Sequence, residues 1–493
     1  MNLHDLFAIS LRRSPDKPAL QLAESGAVSV DLTYSDLFAA ADRLAAGFLA
    51  RGVKKGDRVA FFLSNRPEFV TAYLAVIRLG AVMVPINLAY RRREIAHMLA
   101  DATPRLLLTE KAQLSILDEL SEEERRGLAA VILAEDLADW DDETASFVPP
   151  LVEEGDLAMI LYTSGTTGRS KGAMISHGNV MATMTDLLVA WAWEPADTLL
   201  LTLPLFHTHG LVVGLHCALA AGATVLLRRR FEAAAVAGEL LGGAAGLFFG
   251  VPTMYVRLVE ELRKVADRSA LARMRLFCSG SAPLAPETFE AFRELTGHDI
   301  LERYGMTETG MNLSNPYAGP RIPGSVGTPL PGVSARIVEG ELQVRGGNVF
   351  SGYWQAPEKT AESFVHDDLG RRWFRTGDLA RQDSVTGAFF LLGRRTELII
   401  SGGFNIYPRE IEELLTSFPG VKEAAVAGRP HPEWGEVPEA FLVVEREIDT
   451  EKLIAWSRGQ LAAFKVPRTI HIVESLPRNA LGKVQKHLLG KFE

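Results

Sequence analysis

The chain has 493 residues, 47% hydrophobic and 23% charged, the makeup of an ordinary globular protein with room for about three structural units at roughly 150 residues each. Its 52 Lys and Arg stand against 61 Asp and Glu, a net charge of -9, which argues against a general binder of nucleic acid or anionic membrane, since either needs a basic excess. Two cysteines, Cys217 and Cys278, are too few for a disulfide scaffold and lack metal-ligand spacing.

Met1–Asp5 has no basic segment running into an apolar one, so a cytoplasmic location is expected. Thr33 and Asp36 stand at capping-box spacing, and Leu37, Ala41, Leu44 and Phe48 follow at near-helical intervals up to a stop at Gly52. Val59–Leu63 reads as a buried strand. Pro67 can open the next helix and Gly80 close it, before a strand over Ala81–Val84. Alternating helices and uniformly apolar strands predict a parallel sheet covered on both faces, and the same grammar runs from Asp156 to about Gly327. Gly210–Leu227 holds 18 residues without a formal charge, the threshold for a spanning helix. It is broken at Ala221–Ala223, and the expectation is a buried helix followed by a buried strand.

After Gly327 the texture turns to short β runs: Ser334–Val338, Glu341–Val344 and Ala388–Leu392. Glu339-Gly340 between the first two suits a tight hairpin, with Gly340 at positive φ. The last hundred residues mix strands and helices again. The fold expected is α/β: a large N-terminal domain of αβ-layered, parallel-rich sheets over 1–395, including a β subdomain over about 328–395, then a small α+β C-terminal domain over 396–493.

The chemistry concentrates in Tyr162-Thr163-Ser164-Gly165-Thr166-Thr167-Gly168-Arg169-Ser170-Lys171-Gly172, which follows the apolar strand Leu157–Leu161. Glycines and small hydroxyl residues let a backbone wrap a phosphate chain, with N–H groups and hydroxyls on the anionic oxygens and Lys171 adding a cation. This is no Walker A loop, because Ser170 precedes the lysine and Gly172 follows it.

The string resembles the phosphate loop of the adenylate-forming superfamily of acyl-CoA synthetases, peptide-synthetase adenylation domains and beetle luciferases. Four more stretches resemble its motifs in order: Glu302–Glu308, Phe374–Asp378, Gly393–Ile399 and Pro477–Lys483. The resemblance implies an AMP-forming acid–thiol ligase using ATP, Mg²⁺ and coenzyme A as co-substrate, with a mobile C-terminal domain. ATP would meet Thr163, Ser164, Gly165, Thr166, Thr167, Gly168 and Lys171; Gly280, Ser281 and Ala282 as one adenine wall; and Glu302, Arg303, Tyr304, Asp378 and Arg394. Within that set it implies Tyr304 for stacking and Asp378 for the ribose hydroxyls. Glu308 with Thr166 would hold Mg²⁺, and Thr307, Glu308, His207 and Lys483 would be catalytic, Lys483 reaching the α-phosphate. Gly402 and Gly403 would line the pantetheine channel. Many relatives carry Asp or Lys where Thr396 stands, at the expected hinge, and a longer hairpin where Arg336–Val344 is short.

Pro204–Gly210, Met274–Leu284 and Arg303–Pro316 together resemble malonyl-CoA synthetases, so the implied reaction joins malonate or methylmalonate to coenzyme A. His207, Ser281, Arg303 and Met306 would then meet the acid. Two histidines at His207 and His209 with no third ligand nearby are a weak metal signal. A synthetase for short aliphatic or aryl acids, a stand-alone enzyme loading a carrier protein, and a non-catalytic nucleotide-binding relative are the alternative readings. No carrier domain follows Lys483, and Lys171, Glu308, Asp378 and Lys483 are all present, which argues against the last two.

Overall fold

A computed structural model describes residues 1–24, 27–142, 148–163, 170–401, 404–431, 434–479 and 482–490. It divides into two compact units. The first comprises residues 1–323, 328–334 and 345–374, and the second residues 324–327, 335–344 and 375–493.

Two twisted sheets form the first unit. In one, Leu301–Met306, Leu276–Ser279, Leu247–Gly250, Thr198–Leu201, Thr224–Leu227 and Pro18–Glu24 lie side by side in that order and parallel. Antiparallel strands finish its edges: Gly310–Ser314 and Thr328–Pro329 at one, Ala27–Thr33 at the other. In the second sheet Leu157–Thr163, Val82–Pro85, Arg58–Phe62, Leu106–Thr109 and Ala130–Leu133 are parallel, and Lys171–Ser176 and Gly352–Tyr353 close one edge antiparallel. The parallel sheets of the sequence reading are therefore present, with antiparallel edges that it did not foresee.

The expected helix signals are realised. Thr33 Oγ1 accepts from Asp36 N and Asp36 Oδ2 accepts from Thr33 N, each at 3.1 Å, so the capping box opens helix Tyr34–Ala50 despite the short aspartate. Pro67 stands at the start of helix Pro67–Arg78, which is buried from Phe69 to Ile77, the mark of a helix enclosed on all sides. Helices Ala233–Leu241, Pro252–Arg263 and Pro286–Thr296 cover the first sheet through Val236, Leu240, Leu258, Leu262, Phe289 and Phe292 against Leu200, Leu226, Phe248 and Phe277. Helix Arg92–Ala102 covers the second with Ile95, Met98 and Leu99 against Ala60, Phe62, Val84 and Leu107. Each such side chain, fully buried, contributes about 1.5–3 kcal/mol.

Gly210–Leu227 is a buried helix and a buried strand, as expected, with one difference. His209–His216 winds as a π-helix before an α-helical turn at Cys217–Ala221 and the strand Thr224–Leu227. The wider winding places the His216 ring on Tyr73, 5.1 Å between centroids and 15° from parallel. No described helix is long and apolar enough to cross a membrane.

The second unit is α+β in its C-terminal part. The long antiparallel pair Val421–His431 and Gly435–Val444 is joined by Ile399–Ser401, Phe404–Ile406 and Thr469–Ile472. Helices Pro408–Thr416 and Thr450–Arg458 bury Ile411, Leu415 and Leu453 against Ile399, Ile406, Val426 and Leu442. At the predicted hairpin both turn residues have positive φ, Glu339 at +49° and Gly340 at +79°. A two-residue turn of this hand needs that at both positions, and glutamate resists it. Glu339→Asn should therefore stabilise the protein by about 1 kcal/mol, read as a raised midpoint in denaturant; a lowered midpoint would contradict the account.

Candidate active site

In the first sheet, segments leaving the carboxyl ends of three parallel strands converge, the place where open α/β sheets collect ligands. Thr198–Leu201 leads to His207 and His209, Leu276–Ser279 leads to Gly280, Ser281 and Ala282, and Leu301–Met306 itself carries Glu302, Arg303, Tyr304 and Met306. Ser279 pairs with Glu302 across the two strands, which sets Gly280 beside Arg303. The two side chains expected to serve different ends of the substrate, Arg303 and Tyr304, are consecutive in a strand and so leave opposite faces. Tyr304 shares its face with Met306, to whose Sδ its hydroxyl donates at 3.7 Å.

Arg303 is 4% exposed. Its guanidinium lies against Gly280, so near that a Cβ there would stand 2.4 Å from its Cζ and would force it to shift. Cys278 is its hydrogen-bonding neighbour, yet Nε and Nη2 make no hydrogen bond among the described residues. Burial pulls the guanidinium below its ordinary value, though no arginine loses its proton in a protein. Ser281 takes φ +70°, a strained backbone for a residue with a side chain, and its hydroxyl lies 3.3 Å from His209 Nδ1. Burial, then the positive charge of Arg303, holds His209 well below the usual histidine value. Burial alone lowers His207 to about 4. Both imidazoles are neutral near pH 7, each free to donate from one nitrogen and accept at the other. His207 and Thr307 line one cavity with Asn87, Tyr90, Tyr162, Phe206 and Thr208.

Thr163 ends its strand opposite Lys171, the first residue of the next. Ser164, Gly165, Thr166, Thr167 and Gly168 lie outside the described residues, as do Gly402 and Gly403. The buried Glu308 accepts from Thr163 Oγ1 at 3.5 Å and from the Tyr353 hydroxyl at 2.9 Å through the same Oε1. The ammonium of Lys171 stands 5.5 Å from the centre of the Tyr353 ring. Tyr353 thus links Lys171 to Glu308 and belongs with them. The sequence reading missed it, because nothing but an aromatic residue after Gly352 marked it.

The second unit gathers its own set. Asp378 and Arg394 face each other across paired strands and form an ion pair at 2.9 Å. Thr376 Oγ1 fastens this turn, donating to the Leu342 carbonyl at 2.7 Å and accepting from Asp378 N at 3.1 Å. Behind it the buried Glu341 accepts from Arg375 at 2.9 Å, from Arg395 at 3.0 Å and from Gly377 N at 3.1 Å. Lys483 stands in a tight loop held by Asn479, whose Oδ1 accepts from Lys483 N and whose N donates to the Lys483 carbonyl, each at 2.9 Å. Its ammonium is drawn below the ordinary lysine value, chiefly by loss of surrounding water and then by Arg394, with Asp378 and Glu397 opposing. Among the described residues no group of three or more His, Cys, Asp or Glu could hold a metal ion.

Residues 7–354 match the family described as AMP-binding enzyme, and residues 410–483 the AMP-binding enzyme C-terminal domain. The mitochondrial malonate–CoA ligase of Mus musculus is 36% identical over 90% of this chain and 83% of its own length. A feruloyl-CoA synthase of Amycolatopsis sp is also 36% identical, over 97% of this chain and 96% of its own. The crystal structure of ATP-bound MatB from Rhodopseudomonas palustris superimposes with a TM-score of 0.90 at 38% identity, covering 100% of this chain and 99% of that one.

Proposed function

The chain belongs to the AMP-binding enzyme family, and from that premise we propose that it joins malonate to coenzyme A through malonyl-adenylate, releasing pyrophosphate and then AMP. One carboxylate oxygen of malonate attacks the α-phosphorus of ATP and pyrophosphate leaves; the coenzyme A thiol then attacks the acyl carbonyl and AMP leaves. Neither step needs a nucleophile from the chain, so catalysis is positioning and electrostatics.

The observation that carries the choice of acid is Arg303. Malonate keeps a second carboxylate through both steps, and burying it unpaired would cost several kcal/mol. A buried guanidinium with Nε and Nη2 unused among the described residues offers two parallel donors for its two oxygens. His209 and Ser281, beside that guanidinium, join His207 as helpers. On the nucleotide we assign stacking to Tyr304, the ribose hydroxyls to Asp378, and phosphate charge to Lys171 and Lys483, with Arg394 holding Asp378 and Thr307 beside Glu308. For Mg²⁺ the chain offers one buried carboxylate, Glu308, with the Thr163 hydroxyl on it. That donor set suits a hard cation held mainly by phosphate oxygens, which would neutralise charge on the departing pyrophosphate. The two-domain division, 1–395 and 396–493, is assigned to the short turn at Arg395–Glu397, and the reaction to the cytoplasm.

The second reading, an aryl-acid ligase, has the feruloyl-CoA synthase in its favour. Pyrophosphate release with ATP and malonate, methylmalonate, butyrate or ferulate, with and without coenzyme A, decides between them. Malonate should exceed butyrate and ferulate at least a hundredfold in kcat/KM, about 3 kcal/mol. Methylmalonate should stay within about 200-fold of malonate, since one methyl group weighs about 1–3 kcal/mol. Preference for ferulate would replace this function with the second.

A further inference from the structure

Helix Arg92–Ala102 packs beside the hairpin whose arms are Leu157–Thr163 and Lys171–Ser176. It touches the outgoing arm with one polar side chain and the residue before the returning arm with another, four residues apart and so on one face. Asp101 Oδ2 accepts from the Tyr162 hydroxyl at 2.5 Å on the outgoing arm. His97 Nε2 stands 2.9 Å from the carbonyl of Ser170, the residue before Lys171, a contact that puts the imidazole proton on Nε2. The Asp101 carbonyl also accepts from the Trp354 indole at 3.1 Å, while Trp354 N donates to Gly172 O at 2.7 Å. Burial and then Asp101 hold the Tyr162 phenol above its ordinary value, so it remains a donor throughout the physiological range.

We propose that His97 and Asp101 are positioning residues for adenylation, a two-point clamp that fixes the hairpin arms and with them Thr163 and Lys171. The proposal rests on the reading of Thr163–Lys171 as the phosphate-binding stretch. The physical reason is the cost of order. Ordering backbone and side chains costs free energy, and Thr163 and Lys171 fixed beforehand leave less of that cost to ATP binding. Neither residue touches substrate. Their effect runs through Tyr162 and Ser170.

The clamp is tested by His97→Ala and Asp101→Ala, with His97→Gln and Asp101→Asn retaining a donor and an acceptor. Each loss should raise KM for ATP about tenfold in acid-dependent pyrophosphate release, as for one hydrogen bond removed, with KM for malonate unchanged and the retaining variants within about threefold of the parent. Thioester formation from supplied malonyl-adenylate and coenzyme A should stay within about twofold, since no pyrophosphate is then held. Lys171→Ala separates the layers. If it raises KM for ATP while the clamp variants do not, the clamp is wrong and the phosphate reading stands. If Lys171→Ala leaves ATP kinetics untouched, the phosphate reading falls and takes the clamp with it. Equal losses in both half-reactions with a lowered Tm would make His97 and Asp101 ordinary fold supports and overturn the proposal.

Discussion

Arg303→Met is expected to lower malonate turnover at least a hundredfold while ATP still binds with its parental KM. Methionine is about as long as the arginine stem and needs no hydrogen bond, so the site keeps its bulk and loses its charge. The second carboxylate would then enter a pocket without a cation, a penalty of about 3 kcal/mol and thus two orders of magnitude in rate. The fold should survive, because an apolar side chain replacing a buried charge is commonly neutral or stabilising. Relative preference should move toward butyrate, which brings no second charge. Steady-state kinetics with both acids, beside a thermal melt, makes the comparison. A variant that retains malonate activity would end the role given to Arg303, and one that loses ATP binding as well would mark it as a support of the strand.

Lys483→Ala should divide the two half-reactions. The lysine is assigned to charge that builds on the α-phosphate during transfer, and loss of one such group costs about 10²–10³ in rate. Acid-dependent pyrophosphate release should fall by that factor. Supplied malonyl-adenylate and coenzyme A should still give product, since that step needs no new charge on phosphorus. The pH profile carries a sign of its own. The Lys483 ammonium is held below the ordinary lysine value, so the cation is present at low pH and lost as pH rises through that lowered value. In the parent, adenylation should decline on the alkaline side earlier than a solvated lysine would impose. Equal damage to both half-reactions would remove Lys483 from this role.

What the sequence disclosed follows from the reach of each signal. A capping box, a proline at a helix start and a two-residue turn are local, and Thr33, Pro67 and Gly340 announced their structures. The π-helical winding at His209–His216 has no local signature, because an apolar run reads alike whether it winds at 3.6 residues per turn or more widely. The two compact units are assembled from segments distant in sequence, which no periodicity reveals. The same holds in the site. Thr163, Lys171, Tyr304 and Glu308 sit in dense strings of special residue types, and their strings named them. Tyr353, His97, Asp101 and His209 gain their meaning from partners 45, 73, 61 and 72 positions away. Only the folded chain brings those partners together. Glu339 shows the converse: a turn whose second residue was legible and whose first carries a conformation that its side chain does not favour.

On the role proposed for Arg303, its contact with Gly280 would make substrate choice the property of a pair. A methyl group at 280 would meet the far end of a long side chain rather than backbone, so it would push the guanidinium from its place. Substitution at 280 should therefore alter acid preference even with Arg303 in place. Substitutions at the two positions should be strongly non-additive, and a search for new acids should randomise them together.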